Sequence, residues 1–432
     1  MSSHRRRLSV LFASMFLVLT IVIGSSVGLA ASKTKIRLAT WAGVDEANEL
    51  QEILDRLNAK STTYEIIQES SPAEYDTKLI TTLAAEAGAD LYWIGQEKVP
   101  SFASRGVMMD LTDRMKASKH PAGNLDDYFG PTMERMMYQG KVYALPWINQ
   151  PVMVYVNLDL FDKEGIAYPD ETWDWDKFLA VAKALTVDKN GRHPGDDGFD
   201  SENVERWGFT LNGWPPIQMF IWQAGGDVIS EDFKSCPVDS KEAIQGAEFY
   251  VDLIHKHHVA PPLSIIRDRG FDTMYTNGQV AMFMGGAADD LDYKPDFRSQ
   301  AFMIPKGPSG RRYSFLWVGG MAINAKTKNP DVAFEAFLDL SDAIHHWKVV
   351  PPRKSLATAE ALADLKPEKK HSLPAIVEAM NDSRSFRIFP NYAEWDSIFW
   401  DQYADPLING RGTAEELAKR VKPLLEKTLT SK

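Results

Sequence analysis

Five tryptophans occupy positions where an indole needs a reason to be. Trp41, Trp93, Trp147, Trp214 and Trp317 lie at or just beyond the ends of strand-like apolar runs, with Gly or Pro beside them. Large rings on segments that could be polar cost solubility unless they cover something. Close by in the sequence are Glu69, Gln96, Asn149, Gln150, Asp289 and Arg353, a set of planar amides, carboxylates and one guanidinium. An indole face packs flat on the C–H face of a sugar ring, and those planar groups suit its hydroxyls. The magnitudes are workable: two or three stacked rings contribute about 0.5–1.5 kcal/mol each beyond area. Charge-assisted hydrogen bonds add about 1.5–3 kcal/mol each, against the roughly 8 kcal/mol of a micromolar complex. Trp173, Trp175, Trp207 and Trp347 fall within elements or beside core faces and read instead as packing residues.

Motifs for covalent or metal chemistry are missing from the sequence. It contains no GxSxG elbow, no phosphate-cradling glycine loop and no HExxH pair, so neither catalysis nor a cofactor is expected. Asp289, Asp290 and Asp292 could be imagined as paired acids for glycosidic cleavage; a loop that hydrogen-bonds ligand or solvent is the preferred reading. The run Asp188 to Asp197 begins like a calcium loop, but Gly at its fourth position and Arg at its fifth break the EF-hand order, leaving a turn. His255, His257 and His258 sit at a helix end, where positive charge complements the dipole. Cys236 is the one cysteine, in a polar stretch without an activating neighbour.

The stretch that must position these groups is Tyr138 to Thr186. Lys141–Leu145 reads as a strand, Val152–Val156 as another, and Pro146-Trp-Ile-Asn-Gln-Pro151 as a Pro-bounded break between them. A stiff crossing segment bearing Trp147, Asn149 and Gln150 is the expected result, placed beside a cleft. Upstream, strands at Lys35–Thr40, Tyr64–Gln68 and Leu91–Ile94 alternate with helices carrying Leu50, Ile53, Leu54 and Leu57, then Tyr75, Leu79, Ile80 and Leu83. This is a βαβαβ series, and ligands of such sheets sit at the carboxyl ends of the strands. Trp41, the Glu69-Ser70 exit loop and Trp93 to Gln96 occupy those ends.

Downstream, a short helix over Asp159–Glu164 stops at Gly165, and Thr172 is expected to cap the next helix. Strands follow at Arg206–Leu211, Gln279–Met284, Gln300–Ile304 and Phe315–Asn324. Capping boxes are read at Asp239 with Glu242 and at Thr413 with Glu416, and Asn329-Pro330 opens a helix.

Residues 1–30 read as a leader. Three arginines precede a sixteen-residue uncharged apolar run, then small residues suited to cleavage after Ala30. An uncleaved anchor helix is the alternative, at the lower edge of a spanning length. The remaining chain has 45 basic against 59 acidic residues, which argues against nucleic acid or an anionic membrane as partner. No cysteine sits at the cleavage site to accept a lipid, so a soluble, monomeric extracytoplasmic protein is expected.

At this level the chain resembles the sugar-binding group of extracellular solute-binding proteins of ATP-binding-cassette importers. The resemblance rests on Gly140-Lys141-Val-Tyr143-Ala-Leu-Pro146, Tyr155-Val-Asn157, Gly165-Ile166 and Thr172-Trp173-Asp174. Gly88-Ala-Asp90, Asn277-Gly-Gln-Val-Ala-Met282 and Gly319-Gly-Met-Ala-Ile323 match more weakly. It implies an α/β, two-lobe periplasmic-binding-protein fold of type II-like form, its lobes joined by hinge crossovers around a central cleft. Lobe one would combine 32–147 with 305–339, lobe two 150–303 with 340–432, and the hinges would lie near 146–151, 303–305 and 339–341. Ligand contacts would come from the residues above together with Ser70, Gly319 and Gly320. Where the family often has a Trp after its Gly pair this chain has Ala287-Ala288-Asp289, which favours a polar contact by Asp289. A carbohydrate ligand and membrane permease subunits are the implied partners. A polyamine or a glycerol phosphoester is the alternative ligand, and a secreted sugar-active enzyme the alternative class.

Overall fold

The computed structural model describes residues 32–211, 214–348 and 350–430. The expected leader therefore lies outside the described residues. Among them, no helix is long and apolar enough to cross a membrane.

The strands are β1 Thr34–Thr40, β2 Tyr64–Ser70, β3 Leu91–Gly95, β4 Met137–Tyr138, β5 Lys141–Val142, β6 Ala144–Asn157, β7 Val187–Asp188, β8 Val204–Thr210, β9 Val280–Gly286, β10 Ser299–Phe302, β11 Ser314–Ile323 and β12 Ser383–Arg384. β4 and β5 form a small hairpin. The others join one sheet in the order β2-β1-β3-β11-β6-β9-β8-β7, with β10 on β6 and β12 on β11. β2, β1 and β3 are parallel, as the alternating strand and helix pattern requires. Helix Val44–Lys60 covers them through Leu50, Ile53 and Leu54. Helix Tyr75–Ala84 does so through Tyr75, Leu79 and Leu83, while Ile80, expected on the same face, is 43% exposed.

The Pro-bounded break is not a break. β6 is one fourteen-residue strand that runs through both Pro146 and Pro151. A proline lacks only its own N–H, so a strand tolerates it where no ladder bond is needed from that residue. Here the partners of β6 change along its length. Its first half, to Pro151, pairs antiparallel with β11, and the register slips at a bulge between Gly319 and Gly320. From Val152 onward β9 takes over, and β10 pairs with Val154–Asn157. Beyond the sheet, the backbone N–H of Asn149 donates to Val350 O at 3.3 Å, and His345 Nε2 lies 2.9 Å from Pro146 O.

β6 also sorts the core. Val152, Val154 and Val156 belong to one buried apolar cluster, and Met153 and Tyr155 to the other. Alternate residues of a strand face opposite sides, so one strand contributes to both cores. The expected crossing near 339–341 falls inside the continuous helix Pro330–Ile344, whose Ala333, Phe337, Leu340 and Ile344 are buried in the cluster that holds Met153 and Tyr155. An α-helical ladder through those positions leaves no hinge there. The 303–305 crossing falls in the connection from β10 to β11.

Thr413 and Glu416 form the expected reciprocal capping box. Two other caps move by a residue or two: Asp174, not Thr172, caps helix Trp175–Leu185, and Ser240, not Asp239, caps helix Lys241–His255. Thr172 instead bonds Asp170, and Asp239 holds Lys422. Asp188 accepts from the N–H groups of Asn190, Arg192 and Asp200, which makes its loop a side-chain-closed turn.

Candidate ligand-binding site

Four of the five strand-end tryptophans meet. Trp41 follows β1, Trp93 is in β3, Trp147 in β6 and Trp317 in β11, and these strands are neighbours in the sheet. The indoles of Trp93 and Trp147 stack at 4.3 Å between centroids. Trp41 lies edge-on to Trp93 at 5.1 Å and approaches Trp147 at 6.2 Å and Trp317 at 6.1 Å. Trp347, read from the sequence as a packing residue, joins the group by stacking on Trp147 at 5.9 Å. Its Nε1 donates to Glu49 at 2.7 Å, and the Lys348 ammonium sits over its ring at 4.2 Å.

Burial divides this group. Trp93 and Trp147 are 0% and 3% exposed and lie buried behind Trp41. Trp41 and Trp317 are half-buried, and both line a cavity of about 500 Å³, a size within the range of small-molecule sites. Trp317 packs against both apolar clusters and so stands where the two halves of the fold meet. The cavity's other walls come from Pro72, Glu74, Tyr75, Asp76 and Thr77 at the start of one helix, and from Gly95, Glu97 and Lys98 after β3. Tyr75 is fixed by donating to Trp93 O at 2.8 Å. Across the cavity's edge, helix Tyr392–Phe399 packs on the 96–98 turn, with Asp396 in electrostatic range of Glu97 and Lys98.

Around the buried tryptophans lie polar atoms without a hydrogen-bond partner: Trp93 Nε1, Gln96 Oε1, Trp147 Nε1, Asn149 Oδ1 and Thr40 Oγ1. Each unpaired buried group costs about 1–3 kcal/mol. Gln96 uses its amide nitrogen on Leu316 O at 3.4 Å, and Asn149 uses its own on Pro351 O at 3.4 Å. Gln150 donates to Asp289 Oδ1 at 2.8 Å, and the other oxygen of Asp289 accepts the Gly286 N–H at 2.8 Å. Burial lifts the Asp289 carboxyl to about 6. Asp290 and Asp292, the other imagined acids, instead hold the fully buried Lys369 at 3.1 and 2.9 Å.

Several expected contact residues are placed elsewhere. Glu69 is held by Arg37 at 2.6 and 2.9 Å beside a separate small pocket under helix Tyr75–Ala84. Ser70 is exposed and donates to Ala42 O. The Arg353 guanidinium is 9% exposed and clamped between Asp127 at 2.9 Å and Asp342 at 2.6 Å. Trp214 sits edge-on to Phe315 at 5.0 Å on the border of the cluster that holds Val152, Val154 and Val156. Gly319 and Gly320 serve packing: a Cβ at Gly320 would lie 2.3 Å from Met136 Sδ, and one at Gly319 would lie 3.1 Å from the Trp317 ring.

Sequence reading missed Tyr75, Asp76, Glu97 and Lys98. The signal available was position alone, because 96–98 and 74–77 follow β3 and β2 at their carboxyl ends, where the fold rule puts ligands.

A family model described as bacterial extracellular solute-binding protein matches residues 43–340. A putative binding protein of Brucella abortus is 24% identical over 268 residues, 60% of this chain and 59% of the relative, so the match spans about three fifths of that protein's length. Among solved structures, an ABC substrate-binding protein from Listeria monocytogenes in complex with cycloalternan superposes with a TM-score of 0.78 at 20% identity, covering 93% of this chain and 100% of that one. A solute-binding protein from Thermotoga lettingae bound to α-D-tagatose gives 0.74 at 19% identity, covering 92% and 100%. The mixed α/β architecture is thus that of two-lobe periplasmic sugar-binding proteins, and the chain belongs to the bacterial extracellular solute-binding protein family.

Proposed function

We propose that this protein captures a carbohydrate in the cavity lined by Trp41 and Trp317 and presents it to the permease of an ATP-binding-cassette importer. The observation that carries the reading is the pair of half-buried indoles lining the cavity, Trp41 backed by the stacked Trp93 and Trp147, beside the carboxylates of Glu74, Asp76 and Glu97. Ring faces of that kind take the C–H faces of a sugar, and the carboxylates take its hydroxyls. The sugars bound by the Listeria and Thermotoga proteins support the same reading. The lobes in this proposal are the β2-β1-β3-β11 side with the first half of β6, and the β9-β8 side with the second half. Ligand that touches both lobes only when they are together stabilises the closed form, which the permease then reads. Binding takes place without turnover.

A polyamine is the second reading, favoured by the excess of carboxylates among Glu74, Asp76 and Glu97 over the single Lys98. Intrinsic tryptophan fluorescence of the purified chain from residue 31, titrated with a panel of neutral mono- and oligosaccharides and with spermidine, tests both. Micromolar saturation by at least one sugar supports the first. Saturation by spermidine alone supports the second, and multi-turnover product formation from any glycan overturns both.

A further inference from the structure

The cavity walls are unbalanced in charge. Glu74, Asp76 and Glu97 line it, and the one cation among its lining residues is Lys98. Lys98 is already engaged, 3.0 Å from Asp76 and 3.3 Å from Glu97. Its charge is therefore spent inside the wall, which leaves three carboxylates against one engaged cation among the lining residues.

A Cβ at Gly95 would lie 2.2 Å from Glu97 Oε1, so the bare glycine leaves room for the Glu97 carboxylate to lie back against the strand end. The site thus offers acceptors in excess of donors, together with negative charge.

Resting on the carbohydrate reading, we infer that this site is selective by charge: it takes neutral or amine-bearing sugars and rejects those carrying a carboxylate or phosphate. A hydroxyl can donate to a carboxylate, and an ammonium group gains a charge-assisted bond. A sugar carboxylate or phosphate meets like charge and finds no free cation among the lining residues, and exclusion by repulsion is how a binding site separates ligands of one shape. Glu97 and Asp76 are the specificity-determining residues.

The test is a set of matched ligands measured by calorimetry on the purified chain. Each neutral glycan of the panel is run beside its C6-oxidised uronic acid and its 2-amino-2-deoxy counterpart. The expected result is that the uronic acid of the best neutral binder binds at least tenfold more weakly, and the amino form at least as tightly as the neutral one. Glu97→Gln and Asp76→Asn should each shrink the neutral-to-uronate ratio at least threefold. A uronate that binds within twofold of its neutral parent overturns the charge selectivity while leaving the carbohydrate reading standing. Unchanged ratios in both variants overturn the assignment to these residues. Absence of binding by every glycan and derivative overturns the carbohydrate reading itself, and this proposal with it.

Discussion

Gly319 is the point at which the two accounts of β11 can be separated. The family resemblance puts Gly319 among the ligand contacts, whereas the structure makes it the space into which the Trp317 indole folds. An added Cβ would lie 2.9 Å from Ile148 Cγ2 and 3.1 and 3.2 Å from two atoms of the Trp317 ring. Both contacts are several tenths of an ångström too short, so in Gly319→Ala the ring must tilt toward the cavity it lines. Overpacking of this kind costs roughly 1–3 kcal/mol of stability. Trp317→Ala alone should weaken the best sugar by about 1–2 kcal/mol, which is roughly 5- to 30-fold in Kd. Gly319→Ala alone should weaken it by a similar or smaller factor, because the ring is displaced rather than lost. The decisive measurement is the double variant, with Kd by calorimetry and stability by urea unfolding. In the Trp317→Ala background, Gly319→Ala should change Kd by less than twofold, and its stability cost should fall to the part due to Ile148. An equal loss of affinity from Gly319→Ala in both backgrounds would refute the reasoning and restore a direct backbone contact.

Arg353→Met should cost about 3 kcal/mol in urea unfolding, because Asp127 and Asp342 are left without their shared cation. Sugar affinity of the folded variant should stay within twofold; a tenfold loss at unchanged stability would return Arg353 to the ligand site. Asp289, lifted by burial from the ordinary 3.8 to about 6, binds its proton more tightly folded than unfolded. Its ionisation therefore weakens the fold as pH rises from about 4 to 6, by up to about 3 kcal/mol at about 1.4 kcal/mol per tenfold step, with no further change from this group above that window. Asp289→Asn should flatten that part of a stability-against-pH curve, and an unaltered slope would count against it. Cys236, 0% exposed and bonded by the Trp395 indole N–H at 3.3 Å, has its thiol pushed up to about 11 by burial. Iodoacetamide at pH 8 should label it only in denaturant, and rapid labelling of the native protein would contradict that burial.

Some failures of sequence reading follow from what sequence distance hides. Arg353 meets Asp127 across 226 positions, and Glu69 meets Arg37 across 32. Nothing local marks either pair, and a charged residue near a cleft motif looks free until its partner is seen. Trp347 packs as expected, but its partner is equally invisible locally: it follows helix Pro330–Ile344, and the tertiary fold carries it onto Trp147.

What the sequence determined by itself is the part that depends on period and neighbours. Helical and strand periodicities located β1, β2 and β3 and their covering helices, and strand-end position singled out the tryptophans that converge at Trp41 and Trp317. The family motifs clustered from Gly140 to Asp174 are local too, which is why they were legible. Only the tertiary structure decided that Pro146 to Pro151 continues a strand, because whether a proline ends a ladder depends on which neighbour stands beside it, and β6 changes neighbours there. It also decided which polar groups are spent on each other and which remain for a ligand. That division is made by contacts between distant segments, and a one-dimensional pattern contains no record of them.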